Sequence, residues 1–279
     1  MVKTGKELYD RVSFESAELL TRRYSTSFGL AVRLVGTEIR PHIYNIYGFV
    51  RVGDEIVDTF HGPQAKRYLD TYITHTKQAL RDGFSANPVL HAFSQTAQAY
   101  NIEYDLIAAF FESMKSDLPS APTLSYEQYI YGSAEVVGLM CLHVFCQGDK
   151  QLYRRLTPAA RALGAAFQKI NFLRDLAADT HELKRNYFPG VTQQNFDERA
   201  KQKIIHDINR DIARAQRGID QLPASSRYGV VLATRYFAAL TDKLSRVSAD
   251  RLKSERIRLS NFARLRIVLS VYIAKLLSS

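Results

Sequence analysis

The stretch Gln168-Lys-Ile-Asn-Phe-Leu-Arg-Asp-Leu-Ala-Ala-Asp179 places two aspartates four residues apart inside an apolar run. That spacing puts Asp175 and Asp179 on one face of a helix, where like charges repel by roughly 0.2–0.5 kcal/mol. A second stretch, Tyr47-Gly-Phe-Val-Arg-Val-Gly-Asp-Glu-Ile-Val-Asp58, repeats the arrangement. Two such pairs indicate that cations lie between the carboxylates. Hard divalent ions, bound by a few carboxylates together with water and phosphate, fit that requirement.

Further polar side chains share the helix faces of both aspartate pairs. At 100° per residue, the first face spans an arc of about 60° and the second about 80°, with Arg174 at its edge. The first stripe consists of Tyr47, Arg51, Asp54 and Asp58, and the second of Gln168, Asn171, Asp175 and Asp179. Carboxylates bind cations, whereas arginine pairs bidentately with phosphate oxygens. The stripes therefore predict a site for a metal–diphosphate complex, although a solvated helix face is the simpler interpretation of either pair alone.

Composition and charge limit the possible partners. The chain has 279 residues, of which 46% are hydrophobic, so it can bury a sizeable core. Its net charge of +10 favours nucleic acid, an anionic membrane surface or a polyanionic small molecule. The basic residues are scattered through helical patterns, and we find no glycine-rich or zinc-finger signature, so we expect no nucleic-acid partner.

Hydrophobic residues recur with a helical period along the whole chain, and alternation typical of strands is almost absent. The pattern predicts one all-α domain over residues 1–279, without internal repeats. Pro158 is expected to start or kink the helix that carries the second stripe, with Thr157 as its N-cap. The predicted helices lie at 5–24, 38–60, 64–82, 87–101, 103–116, 125–147, 150–180, 195–220, 224–248 and 258–277.

Cysteine usage and hydropathy predict the compartment. Cys141 and Cys146 lie five residues apart in an apolar helix and point in different directions, so we expect both to be reduced, as in the cytoplasm. Residues 1–10 are too polar for a signal peptide, and no run reaches about 18 uninterrupted apolar residues. The apolar segment 265–277 carries Arg266 and Lys275, which favours a core or interfacial helix. A peripheral position on the inner face of the membrane is therefore the alternative to a purely cytoplasmic one.

The double motif resembles the squalene/phytoene synthase family, and within it most closely the bacterial phytoene synthases. The resemblance covers about residues 13–258. Tyr24-Ser-Thr-Ser-Phe28 resembles the family's N-terminal flap over the diphosphate. Tyr129-Ile-Tyr-Gly-Ser-Ala-Glu-Val-Val-Gly138 resembles its cavity-lining helix, and Arg185-Asn-Tyr-Phe-Pro189 the segment after the second motif. Two departures are Glu55, where many members have aspartate, and Tyr24, where a basic residue or histidine is common.

The resemblance implies an all-α isoprenoid-synthase fold, with helices around a deep central apolar cavity. It implies Mg²⁺, or alternatively Mn²⁺, as the cofactor and no NADPH. The implied metal ligands are Asp54, Asp58, Asn171, Asp175 and Asp179. Tyr47, Tyr129 and Tyr131 join the four aspartates as catalytic residues, the tyrosines as carbocation-facing rings or proton relays. The implied diphosphate-binding residues are Ser25, Ser27, Arg51, Gln168, Asn171, Arg174, Arg185, Tyr187, Tyr236 and Arg256.

The implied reaction is the head-to-head condensation of two geranylgeranyl diphosphates, through a cyclopropylcarbinyl diphosphate, to phytoene. Downstream carotenoid enzymes are then possible partners. Squalene or dehydrosqualene synthesis from two C15 substrates is the nearest alternative; the small residues Gly29, Ala31 and Val32 favour C20. A single-substrate terpene cyclase fits less well, because both stripes and the flap match. A non-enzymatic assembly factor would not need the four aspartates.

Overall fold

The computed structural model describes residues 4–60, 62–119, 121–181, 187–192 and 194–277, with side chains omitted for 178–181. No strand occurs in these ranges, and the predicted all-α class is confirmed. The α-helices are α1 Gly5–Tyr24, α2 Thr26–Val32, α3 Arg40–Thr59, α4 Pro63–Asp82, α5 Pro88–Ala99, α6 Tyr104–Ser116, α7 Tyr126–Ile130, α8 Val136–Cys146, α9 Lys150–His181, α10 Glu198–Ile219, α11 Ala224–Arg246, α12 Ala249–Leu252 and α13 Asn261–Leu277.

The structure corrects the sequence prediction at several points. Helices α2 and α12 were not predicted, and the predicted helix 125–147 contains a π-helical segment, Tyr131–Glu135, between α7 and α8. Helix α9 runs through Pro158 rather than starting there. Its N-cap is Asp149, whose Oδ1 accepts hydrogen bonds from the backbone of the first turn. Thr157 instead donates its hydroxyl back to a carbonyl of the preceding turn, so it is not a cap.

The core forms two large clusters. Helix α3 lies in the first, which the N-terminal part of α9 joins through Leu156, whereas the C-terminal part of α9 lies in the second. Phe49 of α3 stacks on Phe93 with ring centroids 3.9 Å apart, at the centre of the first cluster. Phe172 of α9 belongs to the second, together with residues of α10 and α11 such as Ile208 and Leu244. Aromatic burial of this kind contributes most of the packing energy. The two acidic stripes are thereby held on separately packed helices.

Two glycines bring the π-helical segment close to its neighbours. A Cβ added at Gly132 would lie 2.5 Å from the carbonyl oxygen of Ala109 in α6. A Cβ at Gly164 of α9 would lie 2.7 Å from the carbonyl oxygen of Ala134. Both distances are shorter than any van der Waals contact, so close helix packing accounts for these glycines.

The run Tyr126–Cys146 is long and apolar enough to cross a membrane by length and composition alone. It contacts α3, α6 and α9, and 56% of it is buried inside the protein. We therefore interpret it as a core element. Cys141 and Cys146, which lie within it, are free thiols, as expected.

Helix α13 exposes an unusual amount of apolar surface. Only Val271 of this helix is buried, whereas Phe262 is 75% exposed. The large exposed hydrophobic residues are Phe262, Leu265, Leu269, Tyr272, Ile273, Leu276 and Leu277. They fall within an arc of about 140° at 100° per residue. Residues 256–277 contain five basic side chains and no acidic one.

Candidate active site

Asp54 of α3 is the most strongly perturbed carboxylate at the stripes. Its pKa is raised to about 7, chiefly by burial and also by the negative charges of Asp58 and Asp117, against the opposing effect of Arg51. A raised carboxylate pKa means that the surroundings disfavour the ionised form. A cation bound beside Asp54 would favour its ionised form and so reduce this cost.

Arg51 joins the first stripe to the flap. Its guanidinium forms an ion pair with Glu55 one turn later and lies 4.4 Å from the centre of the Tyr24 ring. Its Nε is buried and has no hydrogen-bond acceptor among the described residues. A buried, unsatisfied guanidinium N–H costs free energy, and an anionic ligand oxygen would satisfy it.

Tyr47 makes a second contact between the first stripe and the flap. Its ring stacks on Phe28 at 5.0 Å, and a hydrogen bond joins its side chain to that of Ser25. Ser25 is also the N-cap of α2, where its hydroxyl accepts from the Phe28 amide. Burial raises the pKa of Tyr47, so the phenol stays neutral. Ser27 lies in the first turn of α2 and is partly buried.

In the second stripe, Asp175 lies between two arginines. Arg174 Nε donates to its Oδ1 at 2.9 Å, and Arg256 Nε lies 2.7 Å from the same oxygen. The Arg256 contact joins α9 to the segment between α12 and α13. Gln168 and Asn171 lie one to two turns earlier on α9 and are partly buried. This group combines oxygen donors with guanidinium groups, as a metal–diphosphate site requires.

An aromatic cluster adjoins the second stripe. The rings of Phe172 and Tyr187 stack at 3.9 Å, nearly parallel, and the Tyr129 ring lies 5.3 Å from that of Tyr187. The Tyr129 hydroxyl donates a hydrogen bond of 2.8 Å to Asp117. Burial and the Asp117 charge raise the pKa of Tyr129, so its hydroxyl remains protonated. Since Asp117 also acts on Asp54, this cluster connects the two stripes.

Other predicted residues lie apart from this group or cannot be placed. Tyr131 packs beneath Arg161, 5.2 Å from its guanidinium, and Arg161 precedes Asp175 by about 21 Å of helix. Tyr236 packs edge-on against Phe237, at the margin of the second core cluster. The side chain of Asp179 and the whole of Arg185 lie outside the described residues.

The donor chemistry of the stripes fits a hard divalent cation. Asp54, Asp58, Asn171 and Asp175 offer only oxygen atoms, which Mg²⁺ and Mn²⁺ prefer. In the described part of the chain, no three His, Cys, Asp or Glu side chains converge on one metal position. An ion bound here would therefore take further oxygens from water or from a diphosphate.

A cleft of about 750 Å³ lies on another face of α9, towards α10. Lys169 in its wall is paired with Asp207 and with Asp211, at 2.7 Å from the latter. Asp54, Asp58 and Asp175, the stripe aspartates whose side chains the structure describes, do not line this cleft, so it is a separate feature. The deep apolar cavity expected between the stripes stays a prediction.

The sequence model of the squalene/phytoene synthase family matches residues 21–263, which include both stripes, the flap and Arg256. The chain belongs to the squalene/phytoene synthase family. Members of this family are prenyltransferase-type enzymes that use prenyl diphosphates.

Individual family members are only distantly similar. The chain is 28% identical over 262 residues to phytoene synthase 1 of Zea mays, covering 86% of this chain and 62% of that protein. It is 27% identical over 261 residues to phytoene synthase 1 of Solanum lycopersicum, covering 85% and 61%. The chain thus spans less than two thirds of the length of these curated relatives.

Solved structures support the isoprenoid-synthase fold. A dehydrosqualene synthase in complex with ligand superposes with a TM-score of 0.78 at 18% identity, covering 97% of this chain and 98% of that one. Squalene synthase HpnC of Alicyclobacillus acidocaldarius superposes with a TM-score of 0.74 at 21% identity, covering 89% and 97%. At such identities the likeness establishes the fold alone.

Sequence reasoning missed two residues of this family member's site. Asp117 follows the end of α6, outside any periodic pattern, so only its contact with Tyr129 reveals it. Phe172 lies beside Asn171 in the quoted motif, but its apolar side chain indicated only core packing. Its stacking on Tyr187 places it between the core and the second stripe.

Proposed function

We propose that this family member is a phytoene synthase, a geranylgeranyl-diphosphate geranylgeranyltransferase of carotenoid biosynthesis. Two geranylgeranyl diphosphates are condensed head to head to a cyclopropylcarbinyl diphosphate, prephytoene diphosphate, which is converted to phytoene. The family match across both stripes, together with curated relatives named phytoene synthase, supports this proposal. The substrate class follows from the stripes, which combine carboxylates with arginines.

The aspartates, the arginines and the flap residues would have different roles in the reaction. Asp54, Asp58, Asn171, Asp175 and Asp179 would hold Mg²⁺, which supplies Lewis-acid stabilisation to a departing diphosphate. Arg51, Arg174 and Arg256 bind the diphosphate oxygens; Arg51 has a buried N–H available. The flap residues Tyr24 and Phe28 pack on α3 and exclude water, which would otherwise quench an allylic cation.

The second candidate is dehydrosqualene or squalene synthesis from two farnesyl diphosphates. The same stripes and flap would serve a C15 substrate. Dehydrosqualene formation would differ from phytoene formation in the volume of the prenyl site, whereas squalene formation would also need a hydride donor such as NADPH. Val32, considered above as a small residue beyond the flap, is 2% exposed and packs in the first core cluster. A non-enzymatic assembly factor is the third candidate. It is disfavoured because it would not need the four aspartates, all of which are present.

Product analysis tests the proposal directly. Purified protein is incubated with Mg²⁺ and either C15 or C20 diphosphate, without NADPH, and the hydrocarbons are separated by chromatography. We expect a C40 hydrocarbon with the spectrum of phytoene from the C20 substrate. A C30 hydrocarbon as the dominant product would favour the second candidate. No product and no release of inorganic diphosphate from either substrate would favour the third.

A further inference from the structure

Asp117 connects the two walls of the candidate site, although it belongs to neither stripe. Its Oδ2 accepts the hydrogen bond from the Tyr129 hydroxyl at 2.8 Å. The ring of Tyr129 lies 5.9 Å from that of Phe172 on α9, one turn before Asp175. On the other side, Asp117 is close enough to Asp54 for their charges to interact. The Tyr129–Asp117 pair therefore acts electrostatically on Asp54 of α3 and packs, through Phe172, against the helix that carries Asp175.

The backbone around this pair is closely packed. Helix α6, which ends just before Asp117, packs against the π-helical segment that follows α7. The contact of Gly132 with Ala109 holds these elements together. Ring contacts with Phe172 and Tyr187 restrict the plane of the Tyr129 ring. The direction of the O–H bond is the main remaining freedom. The hydroxyl donates to Asp117 and shares a second side-chain hydrogen bond with Tyr187, and the carboxylate is the stronger acceptor of its proton.

The direction of that bond matters for chemistry with carbocations. A phenol that donates its proton to a carboxylate has increased electron density on its oxygen. Its lone pairs point away from the acceptor, and a partially negative oxygen fixed in advance stabilises positive charge without reorganisation. A freely rotating hydroxyl would instead direct its positive hydrogen towards the cation part of the time.

We infer that Asp117 is a positioning residue of the condensation: it fixes the Tyr129 hydroxyl so that the oxygen lone pairs face the isoprenoid cations. The inference rests on the proposed function, because it requires cationic intermediates. It assigns to Asp117 a task that differs from metal binding, although the residue is acidic and near Asp54.

Four variants separate these two tasks. Asp117→Leu removes the hydrogen-bond acceptor and the charge, whereas Asp117→Asn keeps an acceptor oxygen and removes only the charge. Tyr129→Phe removes the donor, and the fourth variant combines Asp117→Leu with Tyr129→Phe. Glu112→Gln is the matched control, since it alters an exposed carboxylate on the same helix that pairs only with Lys115. Thermal unfolding of each variant verifies that it is folded.

The measurements are kcat and KM for hydrocarbon formation, the Mg²⁺ concentration at half-saturation, and calorimetric binding of a non-ionising thio-diphosphate analogue. We expect Asp117→Leu and Tyr129→Phe each to lower kcat about 10- to 100-fold, the value of one charge-assisted hydrogen bond. The double variant should be within about threefold of the slower single variant, because both changes remove one interaction. Asp117→Asn should lower kcat less than Asp117→Leu, because a neutral hydrogen bond replaces the charge-assisted one. Mg²⁺ half-saturation and analogue affinity should stay unchanged throughout.

Three results would overturn the inference. These are a wild-type kcat in Asp117→Leu, losses that multiply in the double variant, or equal loss in Asp117→Asn and Asp117→Leu with a raised Mg²⁺ requirement. The last result would make Asp117 part of the cation site. A wild-type protein that converts neither C15 nor C20 substrate would overturn the proposed function and this inference together. An active wild type with any of the three results would overturn the inference alone.

Discussion

The guanidinium of Arg256 contacts the carboxylate of Asp175 across 81 residues of sequence, with Nη2 3.3 Å from Oδ2 and Nε 2.7 Å from Oδ1. Arg174 binds the same carboxylate from the adjacent position. Two guanidinium groups thus flank this carboxylate, whereas Asp54 in the first stripe has a pKa raised to about 7, chiefly by burial. The two stripes therefore differ before any ligand binds. The first stripe, on α3, favours a cation, and the second, on α9, has two arginines already positioned beside its carboxylate.

Removal of Arg256 should weaken diphosphate binding. Arg256→Gln is expected to lower kcat/KM about 10- to 100-fold, since a bidentate guanidinium contact with phosphate is lost. Arg256→Lys should recover only part of this, because lysine keeps the charge but not the two-pronged geometry. Arg258→Gln, an exposed position two residues later, is the control. Steady-state kinetics distinguishes the variants, and equal values for Arg256→Gln and Arg258→Gln would contradict the assignment.

The four aspartates should each be needed for the reaction. Changing Asp54, Asp58, Asp175 or Asp179 to Asn is expected to lower the rate by at least about 100-fold, as for other groups that stabilise developing charge. Asp70→Asn on α4, which loses only an exposed pair with Lys66, should leave the rate unchanged. Near-wild-type activity of Asp175→Asn would remove the metal-binding assignment.

Asp54 should make the stability of the metal-free protein depend on pH. Its folded-state pKa of about 7 exceeds the ordinary 3.8, so between these values the folded state binds more protons than the unfolded state. The free energy of unfolding then decreases as pH rises through this window. At pH 8 without divalent ions, Asp54→Asn should be more stable than wild type by about 1–2 kcal/mol, after allowance for its partial exposure. Thermal melting without and with Mg²⁺ measures this, and a variant melting below wild type in metal-free buffer at pH 8 would contradict it.

Val32 offers a test of chain length. If it borders the prenyl site, Val32→Phe should shift preference towards the C15 substrate or abolish the C40 product. The added ring also overpacks the core, at a cost of about 1–3 kcal/mol. Val35→Phe, in the same cluster and equally buried, controls for overpacking, and Val32→Leu is the milder second variant. An unchanged C40 yield from folded Val32→Phe would mean that Val32 does not line the prenyl site.

The exposed face of α13 should bind anionic membranes. Its seven exposed apolar residues can rest at the headgroup boundary while basic side chains extend to the lipid phosphates. We expect reversible binding to anionic vesicles that weakens with salt, since each basic residue near the surface contributes on the order of 1 kcal/mol. The substrates and product of the proposed reaction are hydrophobic, so a position at the membrane surface would give the enzyme access to them.

Vesicle co-sedimentation at low and high salt measures the binding. Leu265→Ser combined with Leu269→Ser and Ile273→Ser should abolish it, whereas Phe84→Ser, at an exposed hydrophobic residue outside α13, should not. Protein wholly in the supernatant at low salt would remove the membrane prediction. A dimer that the triple variant converts to monomer would instead identify this face as a contact between two copies of the chain.

The sequence predicted the helices wherever an apolar period extended over several turns, as in α3 and α9. The prediction missed the elements that only a few residues form. Helices α2 and α12 have only 7 and 4 residues, too short for a period to show. For the site, the stripes could be predicted because their members share one helix. The family resemblance implied Arg256 as a diphosphate-binding residue but not its contact with Asp175, and neither source indicated the Asp117–Tyr129 contact. Both contacts depend on how segments distant in sequence pack together, and residue spacing within one helix carries no information about that packing.

The π-helical segment Tyr131–Glu135 sets the phase between the two helices that flank it. A π-helical turn contains one residue more than an α-helical turn. This extra residue rotates the helix face that follows by about 100°. Tyr129 and Gly138 thus face directions that a plain helix of the same length would not give them. A deletion of a single residue from this segment would be locally harmless, since it restores ordinary helical hydrogen bonding. It would nevertheless rotate Tyr129 out of reach of Asp117. The number of residues in this segment is therefore constrained as tightly as their identity.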